Sequence, residues 1–324
     1  MDLFKNNNLF IIFLIFIICF NFIGNTESIF SYGMQFAKVF KLNNGNIVII
    51  GDLGIHTYDS SGTNSLYNSS LLANYKITEK ENGIYTGLSQ FSKENKELVI
   101  ATAMHVLYIL NPDGKCLFPY PLDSEVQNKY YSIVPYIYKD NYYHFILTYI
   151  KDTKITLQYY LIDLDNEDII PEGNYKFDQN STLRESISYD YGASCHLMNH
   201  YLHGIVLTCF YQDNEPKSIS VNSFKLKNKG IVEIPNMNTS YPDFSYGVFS
   251  SISLDRKKCL VCYVRSTNTD NRGYCAAYNI DENSFTKYKK YVSQECNPAT
   301  NTILVNYFKE TKEFIFSCNK GDQN

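Results

Sequence analysis

Apolar and polar positions along the chain fall into short alternations, not helical stripes. Runs rich in Val, Ile, Tyr, Phe and Thr are cut every few residues by clusters of Asn, Asp, Gly and Lys. β-Branched and aromatic side chains fit a pleated surface and the polar clusters supply turns, so the body predicts strands throughout. No long stretch holds a helical period with caps at its ends. One unit recurs: a strand end, a polar turn, then a strongly apolar strand. It reads Phe40 to Ile49, Phe91 to Ile100, Tyr138 to Leu147, Leu197 to Leu207, Leu254 to Cys262 and Phe308 to Phe316. The apolar strands are anchored at 47, 98, 145, 205, 260 and 314, at intervals of 51, 47, 60, 55 and 54 residues. A second landmark, a strand closing on Asp or Asn, follows each of the first five, at Asp59, Asn111, Asp163, Asn228 and Asp281. Its intervals are 52, 52, 65 and 53 residues. Two independent landmarks thus share one period and one long third-to-fourth gap.

A period of about 50 residues holding three or four strands is the size of a β-propeller blade. Over residues 29–324 the chain resembles β-propellers in general. The second strand of the unit is apolar on both faces, which suits a strand sandwiched between neighbouring sheets. The Trp-Asp dipeptide, the paired Gly of kelch blades and the Asp-box of sialidases are missing, so no particular family is indicated. A pair of two-layer β-sandwiches is the structural alternative. The expected fold class is all-β, a propeller-like array of five complete blades and a partial sixth. Blades are expected at 33–75, 84–125, 130–172, 190–234, 246–291 and 299–324. The sixth Asp/Asn turn would fall beyond Asn324, so the array is expected to be open, cut short or completed by another chain.

Residues 1–28 stand apart from the fold. A polar head with Lys5 precedes the 12-residue apolar run Leu9–Phe20, the length of a signal-peptide core. Phe22 and Ile23 could extend it into an uncleaved anchor, and cleavage is expected after Gly24 or Ser28. The expected location is extracellular or at the cell surface. Of nine cysteines, Cys19 lies in the leader, and eight remain. An even count behind a signal peptide reads as disulfides. Cys195 and Cys209 flank a hairpin centred on residue 202, and Cys262 and Cys275 flank the turn Thr267–Arg272 in the same way. Cys296 and Cys318 flank the last hairpin less symmetrically, which leaves Cys116 and Cys259 as a long-range pair. Asn68, Asn180 and Asn238 begin Asn-x-Ser/Thr acceptor sites for glycosylation.

Candidate chemistry is sparse. His196, His200 and His203 are half of the six His and adjoin Cys195, the weak candidates for a metal site. In a strand, 196 and 200 share one face while Cys195 points to the other, which also denies a Cys195–His196 dyad. Asp163-Leu-Asp165-Asn-Glu167-Asp168 resembles a calcium loop faintly, but Asp168 stands where Gly is needed and Asn174 where Glu is needed. Arg256, Arg265 and Arg272 crowd one hairpin with Lys257 and Lys258, and Arg184 comes from elsewhere. An anion site would need arginines from several blades, so exposed hairpin charge is expected. Ile169–Gly192, with Pro171 and Gly173, is expected to be an inserted loop.

Composition narrows the classes further. The chain has 29 Lys+Arg against 33 Asp+Glu, a net charge of −4, which gives no footing for a nucleic-acid surface. With 44% apolar residues a large core is expected, and the 29 Tyr and 21 Phe, in a chain with no Trp, are expected to fill the interfaces between blades. The excess of Asn, Ile, Lys and Tyr reads as a codon bias towards A and T. No Gly-rich phosphate loop, Gly-x-Ser-x-Gly elbow or His-Glu-x-x-His occurs, and no cofactor, metal or catalytic residue is expected. The first expectation is a secreted or cell-surface binding module for a protein or glycan. The alternatives are a secreted propeller hydrolase or lyase acting on glycans at a channel site, and an N-terminal fragment of a larger surface protein.

Overall fold

A computed structural model of the chain describes residues 38–42, 44–51, 54–60, 65–69, 88–91, 98–103, 106–112, 115–122, 132–139, 141–151, 154–178, 193–214, 217–227, 230–242, 246–267, 270–286, 290–293, 303–308 and 312–318. The leader 1–28, Asn180, Arg184 and Cys296 lie outside the described residues, as do the side chains of Asn68 and Cys318.

Regular structure among the described residues is strand, apart from one 3₁₀ turn at Pro235–Met237. Sheet one comprises β1 (Lys38–Lys41), β2 (Ile47–Gly51), β3 (Gly54–Tyr58) and β4 (Ser65–Ser69). Sheet two comprises β5 (Leu88–Phe91), β6 (Leu98–Ala103), β7 (Val106–Leu110) and β8 (Cys116–Pro121). Sheet three comprises β9 (Ser132–Lys139), β10 (Tyr142–Lys151), β11 (Lys154–Asp163) and β12 (Asp168–Asp178). Sheet four holds β13 (Ser194–His200), β14 (Gly204–Asn214), β15 (Lys217–Lys227), β16 (Gly230–Glu233) and β17 (Thr239–Tyr241). Sheet five holds β18 (Tyr246–Ile252), β19 (Lys258–Thr267), β20 (Asp270–Asn279), β21 (Ser284–Phe285) and β22 (Lys290–Ser293). A sixth sheet holds β23 (Ile303–Phe308) and β24 (Glu313–Cys318).

Each sheet is an antiparallel meander in chain order. In sheets four and five the outermost strand is broken in two, so that β16 and β17 both pair with β15, and β21 and β22 with β20. The first strands touch in succession: β5 meets β9, β9 meets β13, β13 meets β18, and β18 meets β23. They are therefore innermost, with the later strands running outward, and the architecture is a β-propeller.

The second strands carry the apolar landmark because both their faces are covered. In β10, Tyr143, Phe145, Leu147 and Tyr149 share a core with Leu98, Ile100, Leu107 and Ile109 of sheet two. The alternate residue Ile146 joins Leu157, Tyr159 and Leu161 in a core shared with Leu197, Leu207 and Phe224 of sheet four. A third core joins Met198, Val206, Phe210 and Val221 of sheet four to Val261, Tyr263, Tyr274 and Tyr278 of sheet five. Of the Asp/Asn landmark positions, Asp59, Asn111 and Asp163 end or directly follow third strands, Asn228 lies outside the described residues, and in sheet five β20 ends on Asn279, two residues before Asp281; a short side-chain acceptor closes several of these turns. Lys115 N donates to Asn111 Oδ1 (2.9 Å), Asp165 N and Asn166 N to Asp163 Oδ1 (3.0 and 3.1 Å), and Asp281 N to Asn279 Oδ1 (3.0 Å).

Two expectations are corrected. Residues 168–178 are not part of an inserted loop but form β12, paired with β11 from Asp163↔Asp168 to Lys154↔Asp178. Pro171 lies on β12, the edge strand of sheet three, where the backbone has a ladder partner on one side only. Gly173 is the extra residue of a bulge between Gln158 and Tyr159. The Cys116–Cys259 pair does not form. Cys116 stands on the outer strand of sheet two and Cys259 on β19 of sheet five, with two whole sheets between them. Cys259 is a buried thiol facing sheet four, and its burial pushes its pKa above the ordinary cysteine range.

Cys195–Cys209 and Cys262–Cys275 are disulfides between residues directly opposite across β13–β14 and β19–β20, with Cα–Cα distances of 4.1 and 4.0 Å. Cys195–Cys209 closes a sequence separation of 14 residues. Loop-closure entropy puts its contribution at about 3 kcal/mol. The double variant Cys195→Ala/Cys209→Ala is expected to lower the urea midpoint accordingly. An unchanged midpoint would show that the bond does not stabilise the fold.

Candidate functional site

In an antiparallel meander the turns after strands one and three lie at one end of the sheet. At that end sheets four and five are bolted together by their turns. Asn199, near the end of β13, donates its N–H to Arg256 O and its Nδ2 to Asp255 O, both at 2.9 Å, in the β18–β19 turn. Tyr201 N donates to Asp281 Oδ1 of the β20–β21 turn (2.9 Å). Lys257 Nζ donates to Asp281 Oδ2 (3.0 Å) and Ile280 N to Lys257 O (3.1 Å), so the two turns of sheet five are also joined. The Lys257 ammonium, with the Tyr201 N–H and His200 nearby, holds the Asp281 carboxyl below its ordinary value.

Each turn has its own internal frame. The β18–β19 turn is built around Ser253 and Asp255. Ser253 Oγ donates to Asp255 Oδ1 and accepts from Lys258 N (3.1 Å), and Lys257 N donates to Asp255 Oδ1 (3.0 Å). These donors, the Ser253 hydroxyl first, lower the Asp255 pKa. Arg256 holds the left-handed conformation, φ 58°, that lets the chain reverse there. In the β13–β14 turn the acceptor is an imidazole. His200 Nδ1 takes N–H bonds from both Leu202 and His203, each at 3.1 Å. The His200 ring lies 4.8 Å from both the Tyr201 and His203 rings.

On this braced base stand large apolar side chains. Tyr201 is 67% exposed, Leu202 69% and Leu254 59%, and Ile205 at the start of β14 is 49% exposed. Exposed Arg256, Lys257 and Lys258 adjoin them. Single exposed apolar residues are ordinary; these stand on turns that are bonded to each other.

A second polar constellation lies deeper, between the innermost strands β13 and β18. His196 Nε2 is 2.8 Å from Ser250 Oγ, and Ser250 Oγ is 2.7 Å from Ser194 Oγ. A serine hydroxyl within reach of an imidazole meets the first geometric condition for a nucleophile and its base.

The three histidines flagged by sequence are thus divided. His196 faces sheet five and binds Ser250, while His200 and His203 belong to the turn. Among the described residues no group of three or more His, Cys, Asp and Glu could hold a metal ion. In the 163–168 turn, Asp163 already accepts from Asp165 N, Asn166 N and Asn166 Nδ2, the bonds that lower its pKa. Arg256 sits in the β18–β19 turn, whereas Arg265 and Arg272 face each other near the other end of β19 and β20. Asn238 is exposed, and its Nδ2 donates to Glu233 Oε1 (2.8 Å), which also accepts from Asn222 Nδ2 (2.8 Å). Ser250 and Asp281 were invisible in the sequence, because each acts across sheets on a residue 54 or 80 positions away.

No family model matches the chain and no curated protein matches it. Among solved structures it is similar to the Dos1 propeller, at 11% identity over 81% of this chain and 59% of that one, TM-score 0.43. It is similar to a chain from the complex of Drosophila Plexin A with Semaphorin 1b, at 10% identity over 76% and 52%, TM-score 0.42. It is also similar to an oligogalacturonate lyase in complex with manganese, at 10% identity over 78% and 76%, TM-score 0.34. The chain spans less than two thirds of the length of the first two.

The bracing of the turn end has a direct readout. Asp281→Ala removes the acceptor of the Tyr201 amide, which is expected to exchange its hydrogen at least several-fold faster while amides of β10 and β11 keep their rates. Unchanged exchange at Tyr201 would mean that Asp281 does not hold the turn.

Proposed function

We propose that the chain is a non-catalytic binding module and that the turn end of sheets four and five is its contact surface for a protein partner. The observation that carries this reading is the display of Tyr201, Leu202 and Leu254 on two turns bonded to each other. Bracing lowers the ordering cost of binding, and aromatic and aliphatic anchors on a rigid base are what interfaces use. Exposed Arg256, Lys257 and Lys258 beside the apolar tips favour a partner with acidic side chains around an apolar anchor. Two disulfides fit an extracellular protein. A glycan ligand would engage chiefly Tyr201, by stacking on its ring.

A photo-cross-linking residue at Leu202, offered to surface proteins of the cells that make the chain, is expected to give a discrete protein adduct. The same residue at Leu117, exposed on the outer strand of sheet two, is expected to give none. Lys258→Glu should cut the Leu202 yield several-fold. Equal yields from both positions, or indifference to Lys258→Glu, would overturn the reading.

A second reading, a hydrolase working from the innermost strands, has the Ser250–His196 contact in its favour. It expects a fluorophosphonate to label Ser250: Oγ bonds to phosphorus, fluoride leaves, and the proton passes to His196. Labelling lost in both Ser250→Ala and His196→Ala would support it. A chain that stays unlabelled would exclude it.

A further inference from the structure

We propose that His200 is a pH-operated latch on the β13–β14 turn, holding Tyr201 and Leu202 in place when neutral and releasing them when protonated. The latch rests on the reading of this turn as a contact surface only for its purpose, not for its mechanism.

The geometry requires a neutral ring. Two backbone N–H groups, of Leu202 and His203, converge on Nδ1. A neutral imidazole can accept there only if its proton is on Nε2. Protonation puts a third hydrogen at a point where two already meet, and both bonds are lost. Loss of these bonds frees the two residues that follow Tyr201, whose own N–H is tied to Asp281. The turn therefore either opens or swings its ring towards Asp281. Either change moves the Tyr201 and Leu202 side chains.

The charged and titratable neighbours act in both directions. From the same turn, His203 stacks on the ring and Tyr201 lies tilted against it, and the His203 charge opposes a second cation. From the β20–β21 turn, Asp281 favours the cation. That carboxylate is already engaged by Lys257 of the β18–β19 turn and by Tyr201 N. Asp255 and Arg256 of that turn meet Asn199 through their carbonyl groups. Burial, followed by His203, outweighs Asp281, and the His200 pKa lies below 6.5. The unfolded chain thus binds the proton more readily than the folded one between the two values. Stability from this site is complete above pH 6.5 and is lost as pH falls through the lower, folded-state pKa.

Leucine-methyl NMR on the whole chain tests the latch. The Leu202 methyls are expected to shift between pH 7.5 and 4.5 with a midpoint below 6.5, together with the His200 ring resonance. The Leu107 methyls in the buried core should stay fixed. In His200→Asn the amide oxygen can accept the same N–H bonds without titrating, and the Leu202 shift should vanish. A Leu202 titration that persists in His200→Asn, or its absence from the wild type, would overturn the proposal. If His200→Asn does not fold, the wild-type ring decides: a His200 midpoint at or above 6.5, or one that differs from that of Leu202, overturns it. These readouts concern the turn alone. A failed Leu202 cross-link with an intact titration would sink the contact-surface reading and leave the latch standing, and the converse holds.

Discussion

A small antiparallel sheet that is apolar on both faces cannot stand alone in water. This constraint organises the molecule. In sheet three, Tyr143, Phe145, Leu147 and Tyr149 of β10 face sheet two and the alternate residue Ile146 faces sheet four, and all of them are buried. Sheet four repeats the arrangement between sheets three and five. Among the described residues, sheets two to five are thus joined pairwise by shared cores, with first strands in contact from sheet two to sheet six. Tyr and Phe fill the wedges between sheets. Phe210 of β14 meets Tyr278 of β20 edge to face at 5.2 Å, and Tyr241 of β17 meets Phe285 of β21 at 5.0 Å. The polar end of Tyr278 is satisfied by Asn283 Oδ1 at 2.8 Å.

Packing of this kind leaves the ends of the sheets free to specialise. The turn end needs only short polar reversals, and most of the described turns supply them with Asn, Asp or Ser. The β13–β14 turn departs from that pattern by using an imidazole as its acceptor and carrying Tyr and Leu at its tip. An imidazole acceptor, whose proton affinity burial has lowered, and an apolar tip occur in one turn.

Several features could be read from the chain because they obey local rules. The period follows from strand alternation and turn chemistry, and its apolar landmark falls on the second strand of each of the first five sheets and on β24 of the sixth. Cys195–Cys209 and Cys262–Cys275 were legible because opposed residues lie at equal distances from a turn. Cys116 and Cys259 were matched by elimination, with no such geometry behind them, and they do not pair. Pro171 and Gly173 suggested a loop because local propensity does not register an outermost strand or a bulge. The contacts of His196 with Ser250 and of Tyr201 with Asp281 depend on how one sheet is set against the next, which no local pattern encodes.

The most direct measure of that dependence between sheets is a double-mutant cycle on Phe210 and Tyr278, which belong to different sheets and touch through their rings. Urea unfolding of Phe210→Leu, Tyr278→Leu and the double variant gives the coupling energy. Edge-to-face packing in a shared core predicts a coupling of about 0.5–1.5 kcal/mol. Strict additivity of the two losses would contradict a structure in which sheets four and five complete one another.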